Sequence, residues 1–275
     1  MTPVALTIAG SDSGGGAGIE MDLKVFAALG AYGACVITAL TAHNTLEVLG
    51  AWEAPSGLVS AQLTAVLDDL PVAAAKTGML SSEYVVRAIS TVLKARPLPA
   101  LVVDPVVVAK DGTPLLSPGG LAAVREDLLP LATLITPNLP EAEALTGLSL
   151  GSEQEVLRAA EKLQTMGCAW VLIKGGHGQA EVVTDLLLGP GGAQTLSSPR
   201  VPGGPYHGTG CALSAAITAY LAHGLSVPDA VRVAREFLQG LIRASLPLGR
   251  GARVLHPLPS LDPRPYTLDP GDLHG

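Results

Sequence analysis

This 275-residue chain is poor in the residues that mark several large classes of protein. Aromatics make up 3% of it, and Lys and Arg total 17 against 24 Asp and Glu, a formal net charge of −7 with no basic cluster. Nucleic-acid binding by phosphate neutralisation and base stacking is therefore not expected. Cysteine is sparse: Cys35, Cys168 and Cys211 have no metal-ligand spacing. An odd, scattered set suits a reducing cytoplasm better than a disulfide framework. Although 48% of residues are hydrophobic, no apolar run reaches the roughly 18–20 residues of a spanning helix. No basic leader precedes the first apolar run, so neither a membrane span nor a signal peptide is expected. The chain also lacks Gly-x-x-x-x-Gly-Lys-Ser/Thr, a Gly-x-Gly-x-x-Gly after its first strand-like run, and His-Glu-x-x-His. Those absences disfavour P-loop, dinucleotide and zinc-protease sites.

What the chain does have is apolarity in short runs of Ala, Val and Leu, the texture of parallel strands buried on both faces. Strand-like runs at Val4–Ala9, Ala34–Thr38, Val72–Lys76, Leu101–Asp104, Thr133–Thr136 and Ala169–Lys174 alternate with helical spacing at Ile19–Leu29, Leu58–Leu70, Glu83–Ala95 and Leu121–Leu129. Ser152 with Glu155 forms a capping box for a helix ending near Met166. Val182–Leu188 and Gln194–Ser198 read as an antiparallel pair, and a last helix opens at Ser226 with Pro228 in its first turn. The alternation predicts an α/β fold, a three-layer α/β/α sandwich around a doubly wound, mainly parallel sheet. One domain is expected over residues 1–254, followed by an irregular Pro-rich tail at 255–275. Ligands of such sheets sit beyond the carboxyl ends of the strands. Six polar segments fall there: Gly10–Gly18, Lys76–Met79, Asp104, Asn138–Glu141, Lys174–Gly178 and His207–Cys211.

The richest of these is Tyr206-His207-Gly208-Thr209-Gly210-Cys211, which runs into the small apolar segment Ala212–His223. Gly208 and Gly210 let the chain turn sharply around Thr209. The turn leaves N–H groups unpaired at a helix start, and these, with the helix dipole, form an anion site. A thiol at the same spot has its thiolate favoured, so Cys211 is a candidate base beside a phosphate cradle. Taken alone, the segment reads equally well as a plain Gly-rich loop opening a helix. Asp12-Ser13-Gly14-Gly15 imitates the nucleophile loop of trypsin-like proteases. Those enzymes are all-β and their His precedes the Ser, whereas all six His here follow Ser13.

Taken in order, Gly10-Ser11-Asp12-Ser13-Gly14-Gly15-Gly16-Ala17-Gly18-Ile19, Asp22-Leu23-Lys24, Ala31-Tyr32-Gly33, Thr38 to Thr45, Lys76-Thr77-Gly78-Met79-Leu80, Thr136 to Glu141, Lys174-Gly175-Gly176-His177 and His207 to Cys211 resemble the bacterial hydroxymethylpyrimidine/phosphomethylpyrimidine kinases of the ribokinase-like superfamily. The resemblance covers about Val4 to Leu246. It implies a cytoplasmic enzyme of thiamine biosynthesis without a separate lid domain, commonly a homodimer. The implied reaction uses ATP and Mg²⁺ to phosphorylate the hydroxymethyl group of 4-amino-5-hydroxymethyl-2-methylpyrimidine, then its monophosphate.

By the same resemblance, Gly208, Thr209 and Gly210 hold the transferring phosphoryl group, and Lys174 reaches the ATP phosphates. Asp104 and Glu141 hold Mg²⁺ through waters. Asn138 supports that shell, Arg235 sits on the nucleotide side, and Cys211 replaces the Asp of sugar kinases as base. The acceptor pocket comprises Gly10, Asp22, His43, Met79 and Val106. Asp22 accepts from the exocyclic amine, and Met79 and Val106 sandwich the ring. The family usually has Gln where this chain has His43. A neutral imidazole also offers one donor and one acceptor, in a different geometry, which leaves pyridoxal as a competing acceptor.

Plainer roles compete at several positions. Met79 reads also as core filling, Asp22 as a solvated helix face, and Cys35 and Cys168 as small buried apolar groups. His207 is placed to orient the anion loop, and His177 lies in the Gly-rich loop on the ATP side. Among whole-protein alternatives, a sugar kinase is disfavoured by Cys211 and by the absence of a lid insertion. A pyridoxal kinase stays open. A non-catalytic binder on the same fold would have no need of a base.

Overall fold

Successive side chains of a strand point to opposite faces of its sheet, so apolar runs such as Leu101–Val103 must be covered on both sides. The computed structural model describes residues 2–108, 112–176 and 180–257, and in it these runs form one nine-stranded sheet. The strands are β1 (Val4–Asp12), β2 (Tyr32–His43), β3 (Val48–Glu53), β4 (Val72–Thr77), β5 (Leu101–Val103), β6 (Leu134–Ile135), β7 (Trp170–Ile173), β8 (Val182–Gly189) and β9 (Gly192–Pro199). Their order is β3-β2-β1-β4-β5-β6-β7-β8-β9. The pairs from β2 to β7 are parallel, while β3, β8 and β9 join antiparallel at the two edges.

Eight helices cover the sheet among the described residues: α1 (Gly18–Ala28), α2 (Ser56–Asp69), α3 (Glu83–Ala95), α4 (Pro118–Ala123), α5 (Leu139–Thr146), α6 (Glu153–Thr165), α7 (Thr209–Ala222) and α8 (Val227–Arg243). Leu6, Ile8, Val103, Ile135 and Val171 pack with α2 to α6. The alternate residues Ala5, Val102, Leu134 and Leu172 pack with α1, α7 and α8. The three layers and the double winding are as the sequence predicts. After β1 the chain fills β2 and β3 on one side, then returns to the other side at β4. The crevice beyond β1 and β4 is thus the switch point where such sheets bind ligands.

Three departures have local causes. The β2 strand runs on to His43 and pairs with β3, an extension whose Leu40, Leu49 and Trp52 are exposed and which therefore carries no buried alternation to read. The unexpected α5 is eight residues long and rests on its caps: Asn138 and Glu141 form a capping box, and Gly147 ends the helix at φ 70. The expected helix at Leu121–Leu129 is divided into α4, a π-helical turn at Val124–Leu128 and a 3-10 turn at Leu129–Leu131, where Pro130 offers no N–H to continue the ladder. A small parallel pair, β10 (Tyr206–His207) and β11 (Arg253–Val254), lies beside the anion loop. Leu255, at the start of the expected tail, is buried in the α1/α7/α8 core, and the rest of that tail beyond Pro257 lies outside the described residues. No separate lid domain is seen among the described residues, and no described helix is long and apolar enough to cross a membrane.

Candidate active site

The anion loop is built by close approach. Gly208 caps α7 at φ 78, and a Cβ there would lie 1.8 Å from the Gly16 carbonyl oxygen. Only glycine allows this loop to close on the loop after β1. Thr209, Gly210 and Cys211 form the first turn of α7, whose Ala212, Ala215, Ala216 and Ala219 are wholly buried. Small side chains bring the helix start down onto the strand ends. A Cβ on Gly210 would sit 3.5 Å from Lys174 Nζ and 3.8 Å from Asp104 Oδ2. The first turn therefore opens straight onto charge.

That charge is a network. Lys174 follows β7 and donates to Asp104 Oδ1 at 3.0 Å. Thr136 donates to the same oxygen at 3.2 Å, and Ser214 of α7 donates to Oδ2 at 3.1 Å. Burial pushes the Asp104 carboxyl up, but the Lys174 and Lys76 charges outweigh it and hold it below the usual range. Glu141 goes the other way. Burial raises its carboxyl to about 7, with the Asp104 charge adding and the Lys174 charge subtracting. Asn138 and Glu141 exchange the two capping hydrogen bonds, at 2.8 and 2.9 Å, which fixes the Glu141 side chain. Two acidic oxygen donors sharing one lysine match the hard, oxygen-loving character of a divalent cation site.

Cys211 departs from expectation. The helix start was expected to favour its thiolate; burial instead raises the thiol to about 11, with Asp22 and Asp104 pushing it further up and the Lys76 charge and the Gly18 N–H pulling it down. Desolvation is the larger effect because α7 is a core helix rather than a surface one. The counter-charge belongs to a buried pair that sequence reading missed. Lys76 Nζ donates to both Asp22 oxygens at 2.9 and 3.0 Å, and Thr7 donates to Oδ2 at 2.6 Å. Asp22 is wholly buried, not on a solvated face, and its carboxylate is turned to Lys76 rather than left open for a ring amine. Burial alone would lower the Lys76 ammonium, but the Asp22 charge raises it well above its usual value. The missed signal was a lysine closing the apolar run Val72–Ala75.

On the acceptor side, a Cβ on Gly10 would lie 3.1 Å from Met79 Sδ, so the half-buried Met79 leans over a bare stretch of β1. Val106 lines a cavity of about 10 Å³ with Thr77, Gly78 and Asp104, and Thr77 Oγ1 is buried there without a hydrogen-bond partner. His43 ends β2 with Nδ1 3.4 Å from Asp12 Oδ1, and its ring meets that of His207 edge-on at 4.8 Å. Burial tends to raise Asp12, yet the His207 hydrogen bond, the His43 charge and the Gly14 N–H hold it at about 2. Neither Asp12 nor its link to two imidazoles was foreseen. The Arg235 guanidinium, expected on the nucleotide side, donates to Asp185 at 2.8 Å, the Leu196 carbonyl at 2.8 Å and Ser198 at 3.3 Å. It braces the β8–β9 hairpin. His177 lies outside the described residues. Cys168 is buried as expected, while Cys35 is half-buried.

An oriented anion site facing paired charges, at the switch point of a sheet wound in this way, makes the chain a kinase of the ribokinase-like class. Sequence comparison narrows it: residues 12–256 match the phosphomethylpyrimidine kinase family, and the chain belongs to that family. The hydroxymethylpyrimidine/phosphomethylpyrimidine kinase of Streptomyces coelicolor is 49% identical over 249 residues, 90% of this chain and 92% of that one. The crystal structure of phosphomethylpyrimidine kinase from Clostridium difficile 630 is similar at a TM-score of 0.78 and 40% identity, covering 88% of this chain and all of that one. An ADP complex of Bacillus subtilis pyridoxal kinase aligns at a TM-score of 0.86 and 37% identity, covering 93% of this chain and 98% of that one.

Proposed function

We propose that the chain transfers the terminal phosphoryl group of ATP to the hydroxymethyl group of 4-amino-5-hydroxymethyl-2-methylpyrimidine, then phosphorylates the resulting monophosphate, for thiamine biosynthesis. The observation that carries this reading is the meeting at Gly210 of the α7 N-terminus, Lys174 and Asp104 within 4 Å of one Cβ position. Phosphoryl transfer is largely positioning and charge stabilisation, and those three elements supply both. The N–H groups of Thr209 and Gly210 receive the transferring group, and Lys174 places its charge beside it. Asp104 and Glu141 would hold Mg²⁺, which would supply positive charge beside the phosphates. Cys211 sits near Lys76, whose charge favours the thiolate; the thiolate takes the proton of the acceptor hydroxyl and becomes the neutral thiol as the hydroxyl oxygen attacks the phosphoryl group. Asp22 acts by holding Lys76 in place. Gly10, Met79 and Val106 shape the acceptor cleft. The name of the Streptomyces relative supports both phosphorylations, and the ADP of the Bacillus complex supports the nucleotide. Leu40, Leu49 and Trp52, exposed at the β2–β3 edge, offer the apolar face that a homodimer would bury.

A second reading, pyridoxal kinase, is favoured by His43 at the acceptor side and by the likeness to the Bacillus enzyme. ADP release with Mg-ATP and each of hydroxymethylpyrimidine, its monophosphate and pyridoxal separates the two. Turnover of both pyrimidines with pyridoxal slow is the expected result. Faster turnover of pyridoxal than of either pyrimidine overturns the acceptor assignment, and no turnover of any of the three overturns the kinase reading.

A further inference from the structure

Asp12, His43 and His207 come from the ends of three separate strands, β1, β2 and β10. Asp12 Oδ1 lies 3.4 Å from His43 Nδ1, and Asp12 Oδ2 lies 3.0 Å from His207 Nε2. One donor atom from each of the three residues falls within 4.8 Å of the others. The two rings meet edge-on, at 75° to each other. Tetrahedral zinc, with bonds of about 2.0–2.2 Å, places its ligand atoms roughly 3.3 Å apart. The two Asp–His separations run to different carboxylate oxygens, so one oxygen and one nitrogen from each ring, now within 4.8 Å of one another, reach that spacing by movement of the His43 ring.

The surroundings are those of a supported site. Gly14 N–H donates to Asp12 Oδ1 at 2.8 Å, and the Gly16 and Ala17 N–H groups donate to Oδ2 at 3.1 and 2.8 Å. Such outer bonds orient a ligating carboxylate. Oδ1 accepts one of these three and Oδ2 the other two. Ser13 Oγ holds the main chain of His43 through both its N–H and its carbonyl, at 2.8 and 2.9 Å. A Cβ on Gly16 would strike the His207 ring at 2.4 Å, so the ring is held firmly against the loop. Each histidine side chain keeps about one sixth of its surface exposed (17% and 15%), enough for an ion to enter.

We propose that Asp12, His43 and His207 bind a late first-row divalent ion, Zn²⁺ foremost, with a coordination position left open. Two imidazoles and one carboxylate suit zinc and its neighbours and do not suit Mg²⁺. The site is separate from the Asp104–Glu141 pair, and its existence does not depend on which acceptor the enzyme uses.

The test is equilibrium dialysis of the full chain, stripped of metal with chelator, against Zn²⁺ in excess Mg²⁺, with the visible absorption of Co²⁺ as a second readout. One Zn²⁺ per chain is expected, with a Co²⁺ spectrum of a four- or five-coordinate site. His43→Gln and His207→Gln should each weaken binding by at least tenfold, and Cys211→Ser should leave it unchanged. Circular dichroism melting of the two histidine variants shows whether they remain folded. No stoichiometric Zn²⁺ on the parent chain overturns the site. So does binding that survives both substitutions in folded variants, or binding lost in Cys211→Ser.

Discussion

Replacing Lys76 by Met keeps the stem and most of the volume and deletes only the ammonium. Both partners of the Lys76–Asp22 pair are fully buried, 0% exposed, so the variant leaves a carboxylate in the core with Thr7 as its remaining partner. Removing one member of a buried pair costs about 3–5 kcal/mol, whereas replacing both by apolar groups is often neutral. At about 2 °C per kcal/mol for a chain of this size, Lys76→Met should melt roughly 6–10 °C lower. The double variant Asp22→Leu/Lys76→Met should recover most of that loss. The pH dependence has a definite sign. Without Lys76, burial raises Asp22 unopposed except by Thr7, so its folded value lies above its unfolded value near ~3.9. The native state then binds the extra proton, and the variant regains stability relative to the parent as pH falls from 7.5 to 5. Urea denaturation of the parent, the single and the double variant at both pH values reads this directly. A single variant that loses less than about 1 kcal/mol, or a double variant no better than the single, would refute the reasoning.

The other predictions concern the rim. Cys211, raised to about 11, should react with iodoacetamide slowly at pH 7.5 and about tenfold faster for each pH unit up to pH 10; a plateau by pH 8, read by peptide mass spectrometry, would restore the helix-dipole expectation. Since its folded value lies above the unfolded ~8.5, the neutral thiol stabilises the native state below that pH and the contribution is lost as pH rises toward 11. Cys211→Ala should therefore flatten the alkaline limb of a stability curve between pH 9 and 11. Gly208→Ala should abolish turnover and cost at least about 2 kcal/mol, because a Cβ at φ 78 both strains the backbone and meets the Gly16 oxygen; wild-type kinetics would show that the two loops can part without loss. Arg235→Ala should lower stability by about 1–3 kcal/mol through the lost charged hydrogen bonds and leave KM for ATP within twofold. A tenfold rise in that KM would return Arg235 to the nucleotide.

Much of the architecture was legible because strand and helix alternate and each element carries its own apolar pattern. The described residues of the six polar segments did gather at one rim, since a doubly wound parallel sheet leaves strand ends nowhere else to go. The parts that escaped were those set by caps or by exposure. The α5 helix depends on Asn138, Glu141 and Gly147 more than on any apolar stripe, and β3 faces outward along most of its length.

The site itself divides along the same physical line. Residue types and their positions at strand ends can be read in sequence, so Gly208 to Cys211, Lys174, Asp104 and Glu141 could be named. Partnerships cannot, because they join residues far apart in the chain: 54 positions for Lys76 and Asp22, 195 for His207 and Asp12. The direction of a pKa shift follows from those partners and from burial together. Cys211 shows why a local motif misleads. The turn before it says helix N-terminus and low pKa, but the alanines after it, wholly buried, make α7 a core helix and let desolvation win. The same alanines that bring the start of α7 down to Lys174 and Asp104 are thus what keep the neighbouring thiol protonated, and the charge that offsets them comes from Lys76, deep in the sheet.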